Sequence, residues 1–189
     1  MPIVIDLLGS WIIRASLITV MLTLTVSLNN ALYQSNQQAT AKQMVVAADS
    51  IIYSDLNMAR YNADPSTYGR TFQVAADTCV QFLGDVNGGG VPETIRYWVS
   101  YDNTTGLRKL YRYVNNENSG VDLLMGKNFK RVSFQYYSMY GRQTTSLDSI
   151  VAVRVHLTSL VSNAVSSAFS NLTRQDSVST DFQIHPVNL

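Results

Sequence analysis

The sequence predicts an α+β fold in which one long N-terminal helix packs, through its second half, against an antiparallel β-sheet head. Three observations support this prediction. Residues 3–28 form an almost unbroken apolar stretch. The next residues, as far as Arg60, contain no Pro or Gly and repeat apolar side chains every three or four positions, as an amphipathic helix does. Beyond Pro65, short runs rich in Val, Tyr, Phe and Thr alternate with turn residues, which is typical of strands.

The apolar N-terminal stretch is long enough to cross a membrane. It carries only two charges, Asp6 and Arg14, and it exceeds the roughly 20 residues that a bilayer-spanning helix needs. A cleaved secretory signal would place positive charge before the apolar residues and a small-x-small site after them. Here the first charge is acidic and no Ala-x-Ala closely follows Leu28. We therefore interpret residues 1–28 as a transmembrane or filament-core segment.

The amphipathic stretch is expected to bury one stripe of the helix. The apolar positions of this stripe are Val45, Ala48, Ile52, Leu56 and Ala59, widened by Met44 and Ile51. The charged residues predicted to lie off it are Lys42, Asp49, Asp55 and Arg60. Because the residue before a proline is displaced from the α region, the pattern ends at Asp64-Pro65, and the helical domain is predicted at residues 1–62. Such a helix spans about 90 Å, so its first half must be buried in lipid or among other copies.

The two charges of the apolar segment invite a role in contacts between copies. Each costs roughly 2.5–3.5 kcal/mol at bilayer depth, and Asp6 and Arg14 are too far apart to meet within one straight helix. A parallel neighbour shifted axially by about 12 Å would bring one copy's Asp6 beside another's Arg14. Two alternatives stay open: Asp6 neutralises a neighbour's N-terminal amine, or both side chains extend to the headgroups.

The head is predicted at residues 63–189. Its candidate strands are Val80–Phe82, Thr94–Ser100, Leu107–Val114, Arg131–Tyr137, Ile150–Thr158 and Ser177–Ile184. Glycines 88–90 and residues 103–106 supply hairpin turns. In the fifth candidate, Val153 and Val155 share one face, whereas Arg154 and His156 share the other, so the sheet is expected to have one polar side. Residues 160–172 fit either a short helix or a loop.

Composition and motifs argue against catalysis. The formal net charge is +1, whereas nucleic-acid binding needs a basic stripe. Cys79 is the only cysteine and is expected to be a buried structural thiol. His156 and His185 have no acid or nucleophile at motif spacing, and no phosphate loop or nucleophile elbow occurs. We therefore expect neither an enzyme nor a cofactor.

One glycine-rich segment carries a weak calcium signal. Asp85, Asn87 and the turn glycine match the start of a calcium loop, which needs oxygen ligands at its first, third, fifth and twelfth positions, but the fifth position is Gly89. The twelfth position is Arg96, a cation where a bidentate acid belongs, although Glu93 lies nearby. A glycine turn without metal is the favoured interpretation.

These features together resemble the type IV pilin superfamily, which includes the pseudopilins of type II secretion. Members share a long N-terminal helix that is apolar apart from one acid at the fifth mature position, and Asp6 takes that place once Met1 is removed. The head is similar to those of minor pilins in the order of its segments, namely Phe82–Asn87, Glu93–Tyr97, Leu110–Arg112, Val132–Tyr136 and Phe182–Ile184.

The resemblance implies a structural subunit of an extracellular filament, stored in the cytoplasmic membrane before it assembles with copies of itself or with homologous pilins. Asp6 would pair with the next subunit, and Arg14 is a second candidate for an intersubunit charge contact. The residues expected to pack in the filament core are Leu7, Trp11, Ile12, Ala15, Thr19, Leu22 and Val26. A secretion pseudopilin and a periplasmic binding or sensing domain held by one membrane anchor remain alternatives.

Overall fold

The computed structural model describes residues 2–115, 123–161 and 176–186. For residues 2–8, 65, 123 and 176 it describes the backbone alone. The chain begins with a single unbroken helix, α1, at Pro2–Asn57. A seven-stranded antiparallel sheet follows, so the predicted α+β architecture is confirmed.

The second half of α1 packs on the sheet through the predicted stripe. Val45, Ala48, Ile52 and Leu56 are buried, and Met44 packs against the core beside them. Ile51 does not widen the stripe as predicted, because one residue step turns a helix by about 100° and carries its side chain out to solvent.

Two charged positions on this stretch also differ from prediction. Asp55 is buried, not solvent-facing. Its spacing explains this, because the positions 48, 52, 55 and 59 recur every three or four residues and therefore lie on one face. Arg60 lies beyond the helix, which ends at Asn57, five residues before the predicted boundary. Arg60 has a left-handed backbone with φ 66°, and Asn62 follows with φ 57°.

The sheet is a meander in which each strand pairs with the next one along the chain. A four-residue helix, α2 (Pro65–Tyr68), precedes it, and a 3-10 turn, Leu147–Ser149, lies before the sixth strand. The strands are β1 (Phe72–Ala76), β2 (Cys79–Gly84), β3 (Glu93–Asp102), β4 (Leu107–Val114), β5 (Leu123–Tyr137), β6 (Ala152–Val161) and β7 (Asp176–Ile184).

The six predicted strands correspond to β2–β7, and the two predicted hairpin turns join β2 to β3 and β3 to β4. Strand β1 was not predicted, because its five residues include two alanines and show little alternation between apolar and polar side chains. Strand β5 is also eight residues longer at its start than predicted. Of residues 160–172, two belong to β6, and the rest lie outside the described residues.

The sheet curls, and its concave face holds the core together with α1. The turn between β1 and β2 reaches back to β5, where the Phe134 N–H donates to the Asp77 carbonyl at 2.9 Å and the Tyr136 hydroxyl donates to the Ala76 carbonyl at 2.9 Å. Side chains such as Phe82, Tyr97 and Phe134 fill the interior. In β6, Val153 and Val155 are buried, whereas Arg154 is exposed and His156 is half-buried, as predicted.

Candidate assembly surface

The N-terminal half of α1 presents apolar side chains to every side. Between Trp11 and Leu28, eleven large hydrophobic side chains are exposed, from 57% at Val20 to 72% at Trp11. Fully burying one such side chain is worth about 1.5–3 kcal/mol. The set therefore represents on the order of 15–30 kcal/mol of burial that the described part of the chain does not supply.

The hydroxyl groups within this segment are already satisfied by the helix. Ser16, Thr19, Thr23 and Thr25 each donate to the backbone carbonyl four residues earlier, at 2.7–2.9 Å. A hydroxyl that is bonded in this way can enter an apolar environment without losing a hydrogen bond. The Ser and Thr residues therefore do not oppose the burial of the segment.

The predicted packing residues of the filament core occupy this exposed surface. Those whose side chains are described are Trp11, Ile12, Ala15, Thr19, Leu22 and Val26, and all of them are exposed. Leu7 lies in α1, but its side chain is outside the described residues.

The two predicted charge positions lie on the same helix. Arg14 is exposed and forms no hydrogen bond or ion pair with another described side chain. The backbone of Asp6 belongs to α1, and its side chain is outside the described residues. Eight residues of helix separate the two, or about 12 Å along the axis, so any pairing between them has to involve different copies.

A buried ionic cluster fixes the second half of α1 to the sheet. Asp55 accepts from Arg112 Nε at 2.7 Å and from the Arg112 terminal nitrogen at 3.2 Å, and the Tyr97 hydroxyl donates to the same carboxylate. Only 13% of the Arg112 side chain and 7% of the Asp55 side chain are exposed. The carboxylate therefore fixes how the helix sits on β3 and β4.

The same cluster shifts the pKa values of Tyr97 and Arg112. Burial and the adjacent Asp55 charge raise the pKa of Tyr97 well above its ordinary value, so this phenol stays protonated. Burial alone would lower the pKa of Arg112, but its hydrogen bonds to Asp55 and the charge of that carboxylate raise it overall. Arg112 is therefore a permanent cation and Tyr97 a permanent donor.

Close backbone packing completes the junction after the helix. Ala59 forms an isolated antiparallel bridge with Gly84, and the Arg60 N–H donates to the Leu83 carbonyl at 2.7 Å. A Cβ atom at Gly84 would lie 2.3 Å from the Met58 carbonyl oxygen. Only glycine allows the chain to approach so closely at this position.

The weak calcium candidate is a hydrogen-bonded turn. Asp85 accepts from the Asn62 amide and from the backbone N–H groups of Gly89 and Gly90 at 2.6–2.9 Å. Hydrogen bonds from Asn62, Gly90 and Gly89 hold the pKa of Asp85 below its ordinary value. Glu93 accepts from the Val86 N–H and from the Asn87 side chain. These oxygens close the turn, and no group of three or more acidic, His or Cys residues within the described ranges could hold a metal.

The single cysteine and the two histidines belong to strands or their ends. Cys79 is half-buried rather than fully buried, and burial raises the pKa of its thiol. His156 contacts the Thr158 hydroxyl at 3.0 Å and lies 4.0 Å from an Asp181 carboxylate oxygen. His185 contacts the Gln183 amide.

Sequence reasoning missed the Asp55 cluster. Its two strand residues, Tyr97 and Arg112, stand opposite each other in the β3–β4 register and both face the core. A signal was available, because an arginine at an inward position of a strand needs an anion among the elements packed on it. Asp55, at core spacing on α1, is such an anion.

Within α1, the part from Gly9 to Asn57 is long and apolar enough to cross a membrane, and none of its apolar window, with a mean hydropathy of 1.8, is buried by the residues that the structure describes. A scan against protein-family models and a search of curated proteins gave no match.

Proposed function

We propose that this chain is a structural subunit of a type IV pilus-like extracellular filament, in which the apolar halves of α1 from many copies bundle along the fibre axis. One observation carries the proposal: α1 is continuous from Pro2 to Asn57, exposed and apolar in its first half and locked to the sheet in its second. A subunit whose N-terminal half is buried among other copies needs an exposed apolar first half and a second half that is held by its own head.

The continuity of the helix favours assembly over simple anchoring. A binding or sensing domain tethered to a membrane can use a flexible linker between its anchor and its head. Here no linker interrupts α1, and the Asp55 cluster fixes the head on the same rigid rod that carries the apolar segment. Identical rods that bundle would set the positions of their heads on the outside of a fibre, which is an advantage only in a polymer.

The proposed subunit waits in the cytoplasmic membrane before assembly. Moving a helix from lipid into a bundle of helices gains little hydrophobic free energy, so close packing of small residues and satisfied charges decide specificity. Ala15, Ser16 and Thr19 offer such small contacts, and the hydroxyl groups of Ser16 and Thr19 are already bonded within the helix. Asp6 and Arg14 then supply the charges that select the axial offset between neighbours.

Electron microscopy of sheared surface material tests the proposal. We expect filaments that contain this chain, identified by mass spectrometry of the sheared fraction. Asp6→Ala should leave the protein in the membrane fraction at the wild-type level while filaments are lost. The positive group on the neighbouring copy that would pair with Asp6 is then buried without a partner, and this opposes assembly. Asp77→Ala, which removes an exposed carboxylate from the head, is the matched control and should assemble normally. A chain that purifies only as a detergent-soluble monomer, with no filaments at the surface, would refute the proposal and support an anchored domain.

A further inference from the structure

A cavity lies between the turn that follows α1 and the segment that precedes β6. Its volume is about 240 Å³, below the roughly 300–1,000 Å³ that hold drug-sized ligands. The apolar part of its lining comes from Phe72, Leu147, Ile150 and Val151. Phe72 and Ile150 are themselves buried in the core and lie behind the cavity surface. The half-buried Leu147 and Val151 supply its accessible apolar surface, which suits a small ligand with an apolar body.

Charged side chains contribute the polar part of the lining. Arg60, Arg70 and Asp148 all line the cavity. Asp148 pairs with Arg70 Nε at 2.8 Å, and both of these side chains are about 60% exposed. The guanidinium of Arg60 has no hydrogen bond or ion pair with another described residue. Two cations and one anion leave the cavity with one positive charge.

The backbone of Arg60 supplies an independent observation. Its φ of 66° lies in the left-handed region, where glycine is the ordinary residue and a long side chain is uncommon. Two hydrogen bonds hold this geometry, from the Arg60 N–H to Leu83 and from the Ala63 N–H to the Arg60 carbonyl. Backbone strain of this kind concentrates at ligand sites, because the surrounding structure has to maintain it. The left-handed geometry accepts glycine, so the Arg60 side chain can be removed by Arg60→Gly without disturbing the turn.

We infer that this cavity binds a small organic acid, with the carboxylate on the guanidinium of Arg60 and the apolar body against Leu147 and Val151. A guanidinium offers two parallel N–H donors that match the two oxygens of a carboxylate. Asp148 opposes anions of higher charge, such as phosphate esters, and the apolar walls favour a ligand with a hydrocarbon part. The site is separate from the apolar half of α1, and its occupancy does not depend on filament assembly.

Calorimetric titration of the full-length chain in neutral detergent micelles, with sodium benzoate as the probe and protein-free micelles as the blank, tests the inference. We expect saturable binding of one benzoate per chain and none of the neutral analogue benzyl alcohol. Arg60→Gly should weaken benzoate binding about tenfold or more, because a charge-assisted hydrogen bond is lost. The melting temperature of this variant should stay the same or rise, because glycine accepts the left-handed turn without strain.

A matched control uses Arg131, an exposed arginine on β5 that does not line the cavity. Arg131→Ala should bind benzoate within about twofold of the wild-type affinity, since it removes the same charge from another part of the surface. Three outcomes would each overturn the inference: no saturable benzoate binding, equal binding by Arg60→Gly and wild type, or an equal loss in Arg131→Ala.

Discussion

Removing the buried carboxylate of Asp55 on α1 should lower the free energy of unfolding more than removing any other single charge. Asp55→Ala takes away the acceptor for two guanidinium nitrogens and for the Tyr97 hydroxyl. Because the Arg112 side chain is only 13% exposed, water replaces the lost partner poorly. Breaking a buried ion pair by deleting one member costs about 3–5 kcal/mol, against a total stability of about 5–15 kcal/mol for an ordinary domain.

Urea unfolding in detergent micelles measures this loss. With a urea m-value of about 1–3 kcal/mol/M for a small domain, the midpoint should fall by about 2 M. Trp98 is a suitable reporter because it stacks on Tyr111 within the head, at 4.4 Å between ring centroids. The measurement should be made in a Trp11→Phe background, so that the fluorescence comes from the head alone.

Two companion variants separate the ion pair from a general effect of removing charge. Asp49→Ala also deletes a carboxylate from α1, but Asp49 is half-buried and makes one long hydrogen bond of 3.4 Å to Thr180, so the loss should stay below about 1 kcal/mol. Replacing both partners, as in Asp55→Leu with Arg112→Met, should recover most of the stability, because no unpaired charge remains. If Asp55→Ala cost no more than Asp49→Ala, the reasoning would be wrong.

Three further predictions concern the turn after β2, the packing of the helix end and the intersubunit charges. The pKa of Asp85 is lowered in the folded state, so its stabilisation is present above the unfolded-state pKa and is lost as the pH falls through the folded-state value. Asp85→Asn should therefore lower the urea midpoint at neutral pH and have little effect near about pH 2; an equal loss at both pH values would contradict this. Gly84→Ala should destabilise the head by about 1–3 kcal/mol, because its Cβ meets a backbone carbonyl oxygen that cannot move alone. The control Gly9→Ala should be tolerated, because no atom lies within 4 Å of the added Cβ. Equal unfolding midpoints for the two variants would count against the close approach of Gly84 to the Met58 carbonyl. Asp6→Arg and Arg14→Asp should each abolish filaments, and the double variant should restore them where the two side chains pair between copies; filaments that stay absent in the double variant would instead favour the N-terminal amine as the partner of Asp6.

The sequence was sufficient to predict the elements with strong periodicity. The stripe from Val45 to Leu56 repeats at helical spacing, and β6 alternates cleanly, so both were predicted with the correct buried face. Strand β1 was missed because its five residues, Phe72–Ala76, show little alternation. It is a strand because the neighbouring β2 offers it a partner edge, which local sequence does not reveal.

The interactions between residues far apart in the sequence were harder to predict. Asp55 and Arg112 are 57 positions apart, and only the register of β3 with β4 places the arginine on the inner face. The early end of α1 arises in a similar way, because the bridge between Ala59 and Gly84 competes successfully with a further helical turn. The cavity at Arg60 depends on this early end of α1, and no local motif indicates it.

The meander order of the sheet has a consequence for how the protein reaches its native state. Since β1 to β7 pair in the order in which they follow along the chain, each sheet pairing joins neighbouring strands, and the loops that these pairings have to close are short. Each new strand can add to a finished edge as soon as it emerges, and few unpaired edges wait for a distant partner. The core is nevertheless closed last, because α1 packs mainly on β6 and β7, so the helix face from Val45 to Leu56 stays uncovered until the two C-terminal strands have been made.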